Sequence, residues 1–138
     1  MIDEYGEAIY GDEVRNAIKE ACEATGAHVS DYHVAPLRST NGEQPGHEWL
    51  IEFEQAPDDL DVFERALDDY LQEVNRHYYI RREGDALAGP HVSALPDGAF
   101  YDWLRATKDD ISGQTKVPRM SDTRDVADGL LSVVDRDR

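Results

Sequence analysis

The stretch Glu48-Trp49-Leu50-Ile51-Glu52-Phe53-Glu54 decides the fold, together with the segment after the short break at Gln55-Ala56-Pro57. That segment reads Asp58-Asp59-Leu60-Asp61-Val62-Phe63-Glu64-Arg65-Ala66-Leu67-Asp68-Asp69-Tyr70-Leu71-Gln72-Glu73-Val74. In the first part, Trp49, Ile51 and Phe53 alternate with Glu48, Glu52 and Glu54, the period of a strand with one apolar and one polar face. In the second, Leu60, Phe63, Leu67, Tyr70, Leu71 and Val74 recur at helical spacing. Asp58, Asp59 and Asp61 favour the N-terminus of that helix electrostatically. A strand feeding an amphipathic helix of this length predicts helices packed on a sheet.

The pattern extends in both directions. Residues 12–25 read as a helix with Asp12 as N-cap, an apolar stripe of Val14, Ala17, Ile18, Ala21 and Cys22, and Gly26 as the stop. Residues 28–37 read as a strand, and residues 38–46 as a polar loop. Two strands joined by such a loop predict an antiparallel pair with one face buried. After the long helix come two further strand candidates, 77–82 and 91–95, punctuated by Gly84 and Gly89-Pro90. A short helix starting at Asp97 or Gly98 carries Phe100, Trp103 and Leu104. Residues 108–119 are loop-like. A last helix from about residue 122 carries Val126, Leu130, Val133 and Val134. The expected order is α-β-β-α-β-β-α-α over one domain, residues 1–138. It implies an α+β sandwich of two or three layers, with a mostly antiparallel four-stranded sheet.

Composition narrows the function. The chain has 30 acidic and 14 basic residues, a net charge of −16, and only three lysines, Lys19, Lys108 and Lys116. Nucleic acid is excluded as a partner, because counterion release needs a basic face. A dispersed acidic surface suits a cytoplasm of very high salt, where charge repulsion is screened to about 3 Å. A halophilic, cytoplasmic protein is therefore expected. No apolar run is long enough to span a membrane, and the acidic N-terminus does not read as a signal peptide. The lone cysteine, Cys22, lies on an apolar stripe and reads as a small core residue.

Chemistry-bearing motifs are scarce. There is no phosphate-cradling glycine loop and no nucleophile elbow. The five histidines, His28, His33, His47, His77 and His91, have no metal-ligand spacing, so no metal site is expected. The acidic pairs Asp58-Asp59, Asp68-Asp69 and Asp109-Asp110 read as solvated surface. One segment stands apart: Ser112-Gly113-Gln114-Thr115-Lys116-Val117-Pro118-Arg119 places two cations and an amide on a glycine-bearing loop. Lys116 and Arg119 there either neutralise a phosphate or carboxylate, or pair with local acids such as Asp109, Asp110 or Asp122.

Asp31-Tyr32-His33-Val34-Ala35-Pro36, Gly89-Pro90-His91-Val92, Pro96-Asp97-Gly98-Ala99-Phe100 and Gly113-Gln114-Thr115-Lys116-Val117-Pro118-Arg119, in that order, resemble the C-terminal domain of the acyl-acid amido synthetases, the auxin-responsive family of adenylate-forming enzymes. Gly6-Glu7 and Asp31-Tyr32-His33-Val34-Ala35-Pro36 resemble the start of that domain, and Glu48 to Phe53 its next strand. Asn75, Tyr79 and Arg82 stand where the family has Asn, Tyr and Arg, with Tyr78 and Arg81 as rivals. Gly89-Pro90-His91-Val92 and Pro96-Asp97-Gly98-Ala99-Phe100 follow, Ala99 replacing the usual Thr. Gly113-Gln114-Thr115-Lys116-Val117-Pro118-Arg119 matches the closing Gly-Gln-x-Lys-x-Pro-Arg pattern.

The resemblance implies an ATP-dependent acid–amine ligase in which a small C-terminal domain closes over a large adenylating domain. It implies Lys116 as the catalytic charge stabiliser, with Gln114 and Arg119 shaping the cofactor-facing loop. The large domain is not among these 138 residues. The chain is therefore expected to be inactive alone and to need no cofactor by itself, with ATP and Mg required only alongside a partner. It would be a subunit of a split synthetase, a relic reused as a ligand-binding or interaction module, or a piece of a longer protein. A separately encoded adenylating domain is the expected partner, and a homo-oligomer is left open.

Overall fold

The computed structural model describes residues 11–37, 45–84, 86–107 and 124–136. Eight elements follow in order: α1 (Gly11–Thr25), β1 (His28–Leu37), β2 (Gly46–Gln55), α2 (Leu60–Val74), α3 (Arg76–Glu83), β3 (His91–Leu95), α4 (Ala99–Thr107) and α5 (Asp125–Arg136). The strands form one sheet in the order β1-β2-β3. β1 and β2 run antiparallel, with Val34 opposite Trp49 and Ala35 opposite Glu48. β3 runs parallel to β2, with Val92 beside Trp49 and Ser93 beside Leu50.

The α+β class holds, but the expected four-stranded, mostly antiparallel sheet does not: among the described residues it is three-stranded and mixed. The difference arises at residues 77–82, which are helix α3 and not a strand. Asn75 causes the change. Its backbone N–H closes α2 on the Leu71 carbonyl, and its side-chain oxygen caps α3 by accepting from the Tyr78 N–H at 3.0 Å. With α2 and α3 filling the connection, the chain returns to the sheet as a crossover. β3 therefore joins β2 in parallel.

Helices cover both faces of the sheet. On one face, α1 and α2 pack Val14, Ala17, Ile18, Phe63, Leu67 and Leu71 onto Tyr32, Val34, Trp49, Ile51 and Val92. Phe53 meets Phe63 edge to face, with ring centroids 5.3 Å apart. Cys22 is half-buried beside this core, as its place on the apolar stripe predicts. On the other face, α4 and α5 pack Phe100, Trp103, Ala127, Leu130 and Val133 onto Ala35, Leu50 and Leu95.

This second layer corrects the expectation of a single buried face. Glu48 and Glu52 share their face of β2 with Leu50, and both are buried under α4 and α5. Alternation reports which residues share a face; it does not report whether that face meets water. Gly26, at φ 75°, ends α1 as expected, in a conformation that favours glycine, while α2 begins at Leu60, after Asp58, with Asp59 as its cap accepting from the Asp61 and Val62 N–H groups. Asp12 lies inside α1, which begins one residue earlier, and the last two helices start at Ala99 and Asp125. No helix among the described residues is long and apolar enough to cross a membrane.

Candidate functional site

The residues singled out from the sequence, Gln114, Lys116 and Arg119, lie outside the described residues. What the structure defines is the platform that brackets them. α4 ends at Thr107, α5 begins at Asp125, and the two helices pack side by side over Leu50.

Three contacts hold this platform. Gly129 on α5 lies against the Trp103 indole of α4: a Cβ at position 129 would come within 2.5 Å of Nε1, so only glycine permits this approach. The buried Glu52 carboxylate accepts from the Phe100 N–H at 3.1 Å, satisfying a free donor in the first turn of α4. Arg124 is the third. Its guanidinium donates to the Pro36 carbonyl at 3.0 Å, to Glu48 Oε1 at 2.8 Å and to Asp128 Oδ1 at 3.1 Å. The other Glu48 oxygen accepts a short bond from the Ser93 hydroxyl, so Glu48 and Arg124 together join all three strands to the start of α5. Burial alone would lower the pKa of Arg124; its bonds and charge contacts with Glu48 and Asp128 outweigh that and raise it.

A second polar knot ties α2 to α3. Asp68 accepts from the Tyr78 hydroxyl at 2.7 Å, from Arg82 Nε at 2.8 Å and Nη2 at 3.0 Å, and from Gln72 at 2.8 Å. Arg82 also donates to the Leu87 carbonyl at 3.0 Å, shaping the approach to β3. Burial pushes the Asp68 carboxyl up, but the bonds from Arg82 and Tyr78 and the Arg82 charge bring it below the ordinary carboxylate value. Burial and the neighbouring Asp68 push the Tyr78 phenol well above its usual value. Asn75 joins the same region to α1 by donating to Glu13 Oε1 at 3.0 Å.

The two candidate tyrosines differ in environment. Tyr78 is buried and bonded to Asp68, whereas Tyr79 is 45% exposed. Arg82 holds the Asp68 carboxylate in a two-pronged pair. Asp68 is not the solvated surface acid its neighbour Asp69 is; its position on the inner side of α2, one residue after Leu67, was the available signal. Glu48, Glu52 and Arg124 carry no such local signal, since their roles depend on elements distant in sequence. Among the described residues no group of three or more His, Cys, Asp or Glu side chains could hold a metal ion. His33 and His47 are buried in the sheet, while His28, His77 and His91 are exposed. The buried carboxylates Glu48 and Asp68 are each held by a partly exposed arginine: Arg124 fixes α5 to the sheet through Glu48, and Arg82 fixes α3 to α2 through Asp68.

The structure is thus an α+β domain with a mixed three-stranded sheet covered by helices on both faces. Its nearly complete counterpart occurs in the acyl acid amido synthetase AtGH3.15 in complex with 2,4-DB, with a TM-score of 0.74 at 17% sequence identity, covering 97% of this chain and 25% of that one. A second GH3.15 acyl acid amido synthetase structure gives a TM-score of 0.73 at 17% identity, covering 91% of this chain and 24% of the other. The chain therefore spans about a quarter of the length of these structures. None of the curated proteins compared matches it. The family model of the GH3 family C-terminal domain matches residues 12–125, most of the sequence, and the chain belongs to that family.

Proposed function

We propose that this chain is the C-terminal lid of an ATP-dependent acyl-acid amido synthetase and acts with a separately encoded adenylating domain. The observation that carries the reading is the family match, which runs from α1 through the Gly113–Arg119 segment. In this reading Lys116 meets the negative charge that develops during adenylation, and Gln114 and Arg119 shape its loop. A preorganised cation of this kind acts only once water is excluded, which docking of the two domains would achieve. The described residues form no metal-ligand cluster. In this reading ATP and Mg belong to the large adenylating domain.

The test mixes the domain with candidate large domains in high salt and follows acid-dependent pyrophosphate exchange. Exchange should appear with the cognate large domain and disappear with Lys116→Ala. Failure of every large domain from the same genome to bind would overturn the reading. A second reading, a non-catalytic interaction module, is favoured by one observation. Val74, Tyr79 and Ile80 stand exposed within seven residues of one another at the α2–α3 corner. A scaffold of that kind would be indifferent to Lys116→Ala.

A further inference from the structure

An open groove runs between α1 and the first half of β1, on the flank of the domain away from α4 and α5. Its wider end has a volume of about 530 Å³ and is lined by Arg15, Ile18, Lys19 and Cys22 from α1 and by Ala27 and Val29 beyond the turn. A narrower extension, about 140 Å³, shares Arg15, Ile18 and Val29 and continues to Tyr32. Gly26, with no side chain and open space where a Cβ would stand, leaves the mouth clear.

The floor is apolar. Ile18 and Ala27 are almost fully buried and Val29 half-buried, and the half-buried Cys22 thiol, whose pKa is raised by burial and by the charge of Glu23, stays neutral. The rim is cationic on the α1 side. Arg15 and Lys19 lie one helical turn apart, so their side chains share a face. Arg82 and Arg124, by contrast, are bound into carboxylates. Lys19 is one of only three lysines in a chain of net charge −16. Glu23, one turn beyond Lys19 on the same helix, and Asp31, which lines the narrower extension together with Arg15, also border the groove, so the stretch open to a negative group is the one spanned by Arg15 and Lys19.

We propose that this groove binds a small amphipathic carboxylate, an alkyl or aryl acid whose charged head meets Arg15 and Lys19 while its apolar body lies over Ile18, Ala27 and Val29. The site is separate from the Gly113–Arg119 segment and does not depend on the synthetase reading.

Octanoate is the probe, with acetate (head without body) and octanol (body without head) as controls. Binding is read from backbone amide shifts and from protection of Cys22, the only thiol in the chain, against iodoacetamide. Octanoate should saturate, shift the amides of Ile18, Cys22, Ala27 and Val29, and slow Cys22 alkylation. Both controls should bind at least about tenfold more weakly. The double variant Arg15→Gln, Lys19→Gln should lose about tenfold in affinity with an unchanged melting temperature, both side chains being exposed. Octanol binding as tightly as octanoate, indifference to the double variant, or no saturation by about 10 mM would each overturn the proposal.

Discussion

Replacing Asp68 by asparagine tests the polar knot that fixes α3 to α2. The substitution keeps shape and removes one charge. Arg82 then loses its carboxylate at 2.8 and 3.0 Å, the Tyr78 hydroxyl loses a charged acceptor at 2.7 Å, and Gln72 loses its partner at 2.8 Å. Unpairing one member of a buried ion pair costs about 3–5 kcal/mol. The Arg82 side chain keeps 27% of its exposure and Asp68 12%, so water recovers part of that. The expected cost is about 3 kcal/mol, a fall of roughly 10 °C in melting temperature. Urea denaturation at one fixed salt concentration should show a lower midpoint with an unchanged slope. Tyr78→Phe, which removes one hydroxyl and leaves the ion pair, should cost only about 1 kcal/mol.

The pH dependence has a fixed sign. The Asp68 carboxyl titrates below its unfolded value, so its contribution is present above about pH 4 and fades as pH falls through the lower folded value. The gap in stability between the parent and Asp68→Asn should accordingly be widest near neutral pH and close in acid. A cost under about 1 kcal/mol, or a gap that widens in acid, would refute the assignment of Asp68 as the ionised centre of this knot.

Further outcomes follow from the same coordinates. Gly129→Ala gains helix propensity of about 1 kcal/mol but drives a methyl into the Trp103 indole, so a net loss of about 1 kcal/mol is expected with altered tryptophan fluorescence; net stabilisation would show that α5 does not pack this closely. Arg124→Met frees the Pro36 carbonyl and the buried Glu48, and calorimetry should show a loss of about 3 kcal/mol. Gly26→Val should cost about 1–2 kcal/mol through its positive φ, measured by urea melts, whereas Gly26→Asn should cost less. If the acidic surface is an adaptation to salt, the melting temperature should climb steadily with potassium chloride well beyond the range that screens ordinary surface charge.

What could be read before folding was whatever repeats locally. The stripe Leu60-Phe63-Leu67-Leu71 and the alternation around Trp49 and Ile51 fix α2 and β2 because their periods follow from backbone geometry alone. The Gly113–Arg119 string, with its neighbours in order, sufficed for the family. Residues 77–82 were misread because Tyr78, Tyr79 and Ile80 favour strand, while the deciding groups are the Asn75 cap and the Asp68 partner on the preceding helix.

The amino-acid sequence by itself determined the element periods, the acidic surface and the family, since each is a property of residue types at short spacing. Only the tertiary structure decided that β3 lies parallel to β2 and that Glu48 and Glu52 are buried. It also decided that Tyr78, not Tyr79, meets Asp68, and that Arg15 and Lys19 rim a groove. Those outcomes depend on which surfaces separated segments bring together. A carboxylate's burial, partner and pKa belong to that assembly and not to the strand that carries it.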